Sequence, residues 1–122
     1  MAQHNELGKE GELLARQFLK EKGFRIVETN FRYEKDEIDI IAIDNNELVF
    51  VEVKTRSNEH FGEPEEAVGL RKESFLVRAA EAYLQMHSEY AGIRFDIVAV
   101  ILSKNKRKIK HIKDAFYPEQ EN

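Results

Sequence analysis

Asp39, Glu52 and Lys54 are the residues whose types and spacing point most directly to chemistry. They fall in the stretch 37–56, where two apolar, β-branched runs flank Asn45-Asn46. Asparagine tolerates the positive φ angles that a two-residue hairpin turn demands, so the stretch reads as two tightly connected antiparallel strands. With Asp44 facing Glu47, pairing steps outward to Ile43–Leu48, Ile41–Phe50, Asp39–Glu52 and Glu37–Lys54, all on one face. Two carboxylates roughly 5 Å apart between Cβ atoms ordinarily destabilise a sheet, so positive charge is expected between them. Lys54 and Arg56 supply part of it, and a hard divalent cation on carboxylate oxygens would supply more. The opposite face, Ile38, Ile40, Ala42, Val49, Val51, Val53 and Thr55, reads as core. Its mate is apolar only beyond Ile41 and Phe50, so the charges mark one end of the hairpin.

The flanking segments must position this end. Residues 6–22 read as an amphipathic helix with Leu7, Gly11, Leu14, Ala15, Phe18 and Leu19 at helical spacing, ended by Gly23. Glu12 falls at the margin of that stripe, within reach of the hairpin or of solvent. Gly8 and Gly11 cost helix stability, which suggests another backbone passing close by. Residues 24–33 form a first strand, and 57–66, polar with Gly62 and Pro64, a surface loop tethered by Phe61 or left disordered. A second helix spans 70–86 on the stripe Phe75, Leu76, Ala79, Tyr83 and Leu84; Lys72 lies one turn before Leu76 and faces either the sheet or water. Strands follow at 94–102 and 107–112, with Asp96 either an ion-pair partner for Arg94 or Lys72, the favoured reading, or a support behind the residues of the hairpin. Asp114-Ala115-Phe116 packs back, and the tail from Pro118 frays. Helix, three strands, helix, two strands gives an α/β or mixed α+β fold with helices flanking a central mixed sheet.

At 122 residues the chain suits one domain, 1–122, with its core at about 6–116. No apolar run approaches the roughly 20 residues of a membrane span, and the polar start is no secretory signal. The absence of cysteine excludes disulfides and thiolate metal sites, so a cytoplasmic protein is expected. The net charge of −4 argues against a general affinity for nucleic acid, yet Lys104, Lys106, Arg107, Lys108, Lys110 and Lys113 stand in a segment without acid. That concentration suits a phosphate footprint, and equally the guarding of an exposed edge strand.

Gly8-x-x-Gly11-Glu12, Glu37-x-Asp39, Val51-Glu52-Val53-Lys54-x-Arg56, Phe61-Gly62-x-Pro64-x-x-Ala67-Val68, Lys72 and Arg94-Phe95-Asp96 together resemble the bacterial YraN-type uncharacterised protein family. That family is similar in fold to archaeal Holliday-junction resolvases within the PD-(D/E)xK nuclease superfamily. The resemblance runs from about Gly8 to Phe116 and departs from the family's pattern at Asp36, where glycine is usual. It implies a restriction-endonuclease-like core in the order αβββαββ and an endonuclease-like hydrolysis of phosphodiester bonds in DNA, branched or repair intermediates included. Asp39 and Glu52 would hold Mg²⁺, with Mn²⁺ as substitute, and the Val53 carbonyl would be a third ligand. Glu12 would match the helical carboxylate of the resolvase-like members, Lys54 would orient the attacking water, and Glu37 would hold Lys54. The four histidines, at 4, 60, 87 and 111, have no paired metal spacing, so zinc is not expected.

Phosphate contacts are expected from Arg56, Arg71, Lys72, Lys106, Arg107 and Lys108, and a homodimer would follow if the chain cuts two strands as resolvases do. Two other classes compete. One is a non-catalytic nucleic-acid-binding module, whose salt-dependent binding survives loss of Asp39. The other is a protein-interaction subunit in which the carboxylates and Lys54 form a metal-free ion network.

Overall fold

The computed structural model of the chain describes residues 2–34, 36–57, 70–87, 89 and 92–115, with backbone only for 2–5, 36 and 70–72. The elements are α1 (Ala2–Glu21), β1 (Arg25–Tyr33), β2 (Asp36–Asp44), β3 (Glu47–Arg56), α2 (Leu70–Met86), β4 (Gly92–Ser103) and β5 (Lys106–Ile112). This is the mixed α+β order read from the sequence, and it is consistent with a nuclease-like core. The polar loop at 57–66, beyond Ser57, lies outside the described residues. So do the Phe61 to Val68 motif, Phe116, the tail, and the side chains of Arg71 and Lys72.

Local chemistry sets the element ends. At Gly23, φ is 98°, and the Gly23 and Phe24 N–H groups return to the carbonyls of Lys20 and Leu19, each at 3.0 Å. That double return is a Schellman stop, which places Phe24 against Leu19 in the core. Asn45 and Asn46 take φ angles of 53° and 85°, the primed turn whose twist matches a tight hairpin.

The five strands form one sheet in the order β1-β2-β3-β4-β5. All neighbours are antiparallel except β3 and β4, which run parallel over ten residue pairs, Glu47–Gly92 to Arg56–Ile101. A parallel pair requires a crossover, and α2 lies within it. The helices cover opposite faces. Ala15 and Leu19 of α1 pack with Ile40, Ala42, Val49, Val51, Val98 and Val100, while Phe75, Leu76, Ala79 and Tyr83 of α2 pack with Ile41, Leu48, Phe50, Phe95 and Ile97.

Two details differ from expectation. Ile38 joins the α2-side cluster, not the α1-side cluster of Ile40. The β1–β2 ladder pairs Thr29 with Ile40 and Phe31 with Ile38, and between those pairs stand Asp39 and Asn30, the latter at φ 52°. A positive φ inside a strand interrupts the alternation of β1's own side chains at Asn30, and on β2 the change of face falls beside it, between Ile38 and Ile40. The second difference concerns the glycines. Gly11 is approached closely, by a side chain: an added Cβ would lie 2.9 Å from both Cβ and Cγ2 of Thr55 and nearer still to its hydroxyl. Gly8 faces open space.

Candidate functional site

The site is built where the central hairpin opens. The β2–β3 register runs as read from the sequence, from Asp44–Glu47 through Ile43–Leu48 and Ile41–Phe50, and among the described residues the ladder of backbone pairs stops at Ile40–Val51. Asp39 therefore does not stand as an ordinary cross-strand partner of Glu52. Its Oδ2 instead accepts the Val53 N–H at 2.8 Å, a side-chain carboxylate closing the gap between the strands. The N–H and C=O of one strand residue point toward the same neighbour. The Val53 carbonyl therefore faces the same gap, as a backbone ligand would have to.

Glu52 is 6% exposed, one of two charged or polar residues buried among the described residues, the other being Asp96. Its Oε2 lies 3.3 Å from Lys54 Nζ, on the face shared by alternate residues of β3. A buried carboxylate is expensive without a paired charge, and Lys54, itself only 23% exposed at the side chain, provides one. Arg56 continues that row, and its Nη1 donates to the Thr55 carbonyl at 3.0 Å.

Glu12 approaches from α1. Gly11 seats the helix on Thr55 of β3, and the next residue turns to β1, where Glu12 Oε1 accepts from Asn30 Nδ2 at 3.1 Å. The same amide donates to Glu37 Oε1 at 3.2 Å, so one Asn30 nitrogen holds two carboxylates. Glu37 is also 3.6 Å from Arg32, and its described partners lie on β1, not at Lys54 as the extended register would have it. Gly8, Lys9, Glu12, Leu13, Arg16, Asn30 and Glu37 line a cleft of about 580 Å³ between α1 and the edge of the sheet. The positive-φ Asn30 is the part of this arrangement that sequence reasoning missed. Its signal was an asparagine inside an otherwise regular strand pattern, a residue that tolerates the left-handed region.

Among the described residues no three His, Cys, Asp or Glu side chains are gathered as a metal-holding group. The donor chemistry nevertheless suits magnesium, which binds through one or two carboxylates and substrate phosphates, not an all-protein cage. Asp39, Glu52 and the Val53 carbonyl would make such a set, all oxygen, while Glu12 is engaged by Asn30.

A second charged cluster lies at the turn end. Arg94 donates through Nε and Nη2 to Asp96 at 2.9 and 3.0 Å and through Nη1 to Glu47 at 3.2 Å, and Nη1 also lies 2.9 Å from Asp44. Asp96 also bonds His111 Nε2 at 2.8 Å and accepts the Asp114 N–H at 3.0 Å. Burial pushes the Asp96 carboxyl up, but the bonds from His111, Arg94 and the Asp114 N–H outweigh it and hold the carboxyl below the ordinary carboxylate range. Arg94 is raised, mainly by its hydrogen bond to Asp96. This is the ion pair expected of Asp96, with Arg94 as the partner. It ties β4, β5 and the hairpin turn together at the end of the sheet away from Lys54.

A five-stranded mixed sheet between two helices, with a buried carboxylate–lysine pair where its central hairpin opens, defines the class of protein. Residues 11–100 match the model of the uncharacterised protein family UPF0102, and the chain belongs to that family. It is 52% identical to a UPF0102 protein of Bacteroides thetaiotaomicron over 97% of this chain and 98% of the relative. With a relative from Flavobacterium psychrophilum it shares 50% over 96% and 98%. Among solved structures, it is similar to Pyrococcus furiosus SfsA in complex with Ca²⁺ at 13% identity and a TM-score of 0.36, covering 90% of this chain and 63% of that one. Among the described residues no helix is long and apolar enough to cross a membrane.

Proposed function

We propose that the chain is a metal-dependent endonuclease-like protein that hydrolyses phosphodiester bonds in DNA, branched or repair intermediates among them. The observation that carries this reading is the opening of the β2–β3 ladder beyond Ile40–Val51, with Asp39 anchored on the Val53 N–H and the buried Glu52 paired to Lys54 beside it. A bound Mg²⁺ or Mn²⁺ would supply Lewis-acid polarisation of the phosphodiester and a more acidic water. Asp39, Glu52 and the Val53 carbonyl would hold it. Lys54 contributes a fixed positive charge next to Glu52, suited to orienting a water or stabilising negative charge that develops on phosphate oxygens. Glu12, held by Asn30 at the edge of the adjacent cleft, is a further carboxylate on the approach to this position.

A second reading has its own observation. The Glu52–Lys54 contact and the Asp39–Val53 bond compensate these groups within the protein, as a metal-free interaction module would need. The test is Mn²⁺ and Mg²⁺ binding, with and without a short duplex, followed by cleavage of branched, flapped, single-stranded and duplex DNA. Asp39→Asn is expected to lose both metal binding and cleavage. Lys54→Ala is expected to keep metal but lose cleavage by about 100-fold or more. Cleavage equal to wild type in either variant would end the catalytic assignment, and wild type without metal affinity even on DNA would favour the interaction module.

A further inference from the structure

The sheet registers arrange one face of β3, β4 and β5 in rows. On the α2 side, Glu52 is followed across the sheet by Ile97 and Ile112, Lys54 by Ala99 and Lys110, and Arg56 by Ile101 and Lys108. Ser103 and Lys106 complete the last row. The face therefore changes character at the row of Lys54. One row toward the turn it is apolar around Glu52, and from Lys54 outward it carries cations on both sides of a low centre of Ala99 and Ile101. Lys106, Lys108 and Lys110 are exposed and repeat every two residues, roughly 6.8 Å apart along the strand, about 10 Å from the β3 cations across two strand spacings.

Arg107 has the opposite orientation. With Ile109 and His111 it belongs to the α1 face, where Ile109 joins the α1-side core, His111 packs edge-on to Phe18 and Phe24, and Arg107 lies 3.6 Å from Glu10.

We infer that this face is a docking surface for the phosphate backbone of duplex DNA, on which Lys106, Lys108 and Lys110 of β5 and Arg56 of β3 contact phosphates and lead the duplex to Lys54, while Arg107 takes no part. Charge complementarity commits the surface to a polyanion. Lysines that merely guard an edge strand are needed only on β5, and either face serves. Here an interior strand, which needs no guarding, contributes Lys54 and Arg56 to the same band. The band also ends at the buried Glu52, which is where a phosphodiester must arrive if Glu52 and Lys54 act on it. The inference rests on the proposed function for that destination and on the registers alone for the surface itself.

The experiment is fluorescence anisotropy of a labelled DNA duplex across a salt series, with the full chain as wild type, Lys108→Gln/Lys110→Gln and Arg107→Gln, each checked for an unchanged thermal melt. Every phosphate contact contributes about 0.9 to the slope of log affinity against log salt. The lysine pair is expected to make the slope shallower by nearly two, and Arg107→Gln to leave it unchanged. Equal effects of the two variants, an unchanged slope in the lysine pair, precipitation of that pair with its slope intact, or no wild-type binding to duplex would overturn the inference. Asp39→Asn separates it from the catalytic reading. Lysine-dependent binding by a protein that cleaves nothing would keep the surface and sink the nuclease. Cleavage that survives in the lysine pair with an unaltered salt slope would do the reverse.

Discussion

Alanine at the two glycines of α1 should move stability in opposite directions. Both positions lie inside the helix, so each substitution gains the intrinsic preference of alanine over glycine, up to about 1 kcal/mol. Gly8 has no heavy atom within 4 Å of an added Cβ, so Gly8→Ala should keep that gain. At Gly11 the new Cβ would stand 2.9 Å from two carbons of Thr55, where carbon atoms settle at roughly 3.5–4.0 Å. Helix and strand must then separate by about half an ångström or more. Overpacking of that kind costs roughly 1–3 kcal/mol, so Gly11→Ala should be neutral to destabilising by about 2 kcal/mol. The helix term is common to both variants, and the difference between them isolates the contact. Urea denaturation of both, read as a shift in midpoint at constant slope, measures it. Gly11→Ala as stable as Gly8→Ala would refute the account of how α1 is seated, and with it the placement of Glu12.

Asp96→Asn removes the carboxylate that Arg94, His111 and the Asp114 N–H share, and breaking a buried pair costs about 3–5 kcal/mol. Because Arg94 keeps Asp44, the lower end of that range is expected in thermal or urea melts at pH 7. The Asp96 carboxyl is held below its ordinary value, so its contribution is fully present above the usual carboxylate range near pH 4 and lost as pH falls through the depressed value. The gap between wild type and Asp96→Asn should accordingly be constant at neutral pH and close below about pH 4; a gap constant down to pH 2 would contradict it. Asn30→Asp keeps shape and tolerance of positive φ but replaces the donor shared by Glu12 and Glu37 with a third carboxylate. It should cost about 1 kcal/mol at pH 7 and recover on acidification through the carboxylate range; a cost independent of pH would mean that the bridge is not what Asn30 supplies.

The hairpin was legible because its register rests on local chemistry. Asn45-Asn46 admits one turn geometry, and a two-residue loop fixes every pair after it while the strands stay regular. A turn fixes the pairs only as far as the strands stay regular. Nothing in the run Glu37 to Ile41 announces that the ladder ends at Ile40, beside the stretch of β1 where Asn30 takes a positive φ. Asp39, expected opposite Glu52, instead accepts the Val53 N–H, and Glu37 accepts from Asn30. The same limit applies to His111, whose isolated position gave no motif although it supports Asp96 from β5. Period-two alternation showed which β5 residues share a face, but only the parallel register of β3 on β4 aligns Lys108 with Arg56 and Lys110 with Lys54.

The parallel pairing also explains how backbone groups can be left open without loosening the site. Among the described residues the β2–β3 ladder does not continue beyond Ile40–Val51, yet on its other side β3 stays paired with β4 from Glu47 to Arg56. The residues from Glu52 to Arg56 therefore stand on a strand anchored along one edge, crossed by α1 at Thr55 and tied to β2 by the Val53 N–H that Asp39 accepts. Side chains that must sit within a fraction of an ångström of a reacting group are better held by such a strand than by a loop. A carboxylate in place of a ladder carbonyl has a further consequence, because it fixes the Val53 N–H while leaving the carbonyl of the same residue directed into the gap. Asp39 is then both an oxygen donor at the opening and the reason the opening keeps its shape. Its replacement should alter the strand ends as well as any metal affinity, and amide exchange at Val53 reports the first effect independently of the second.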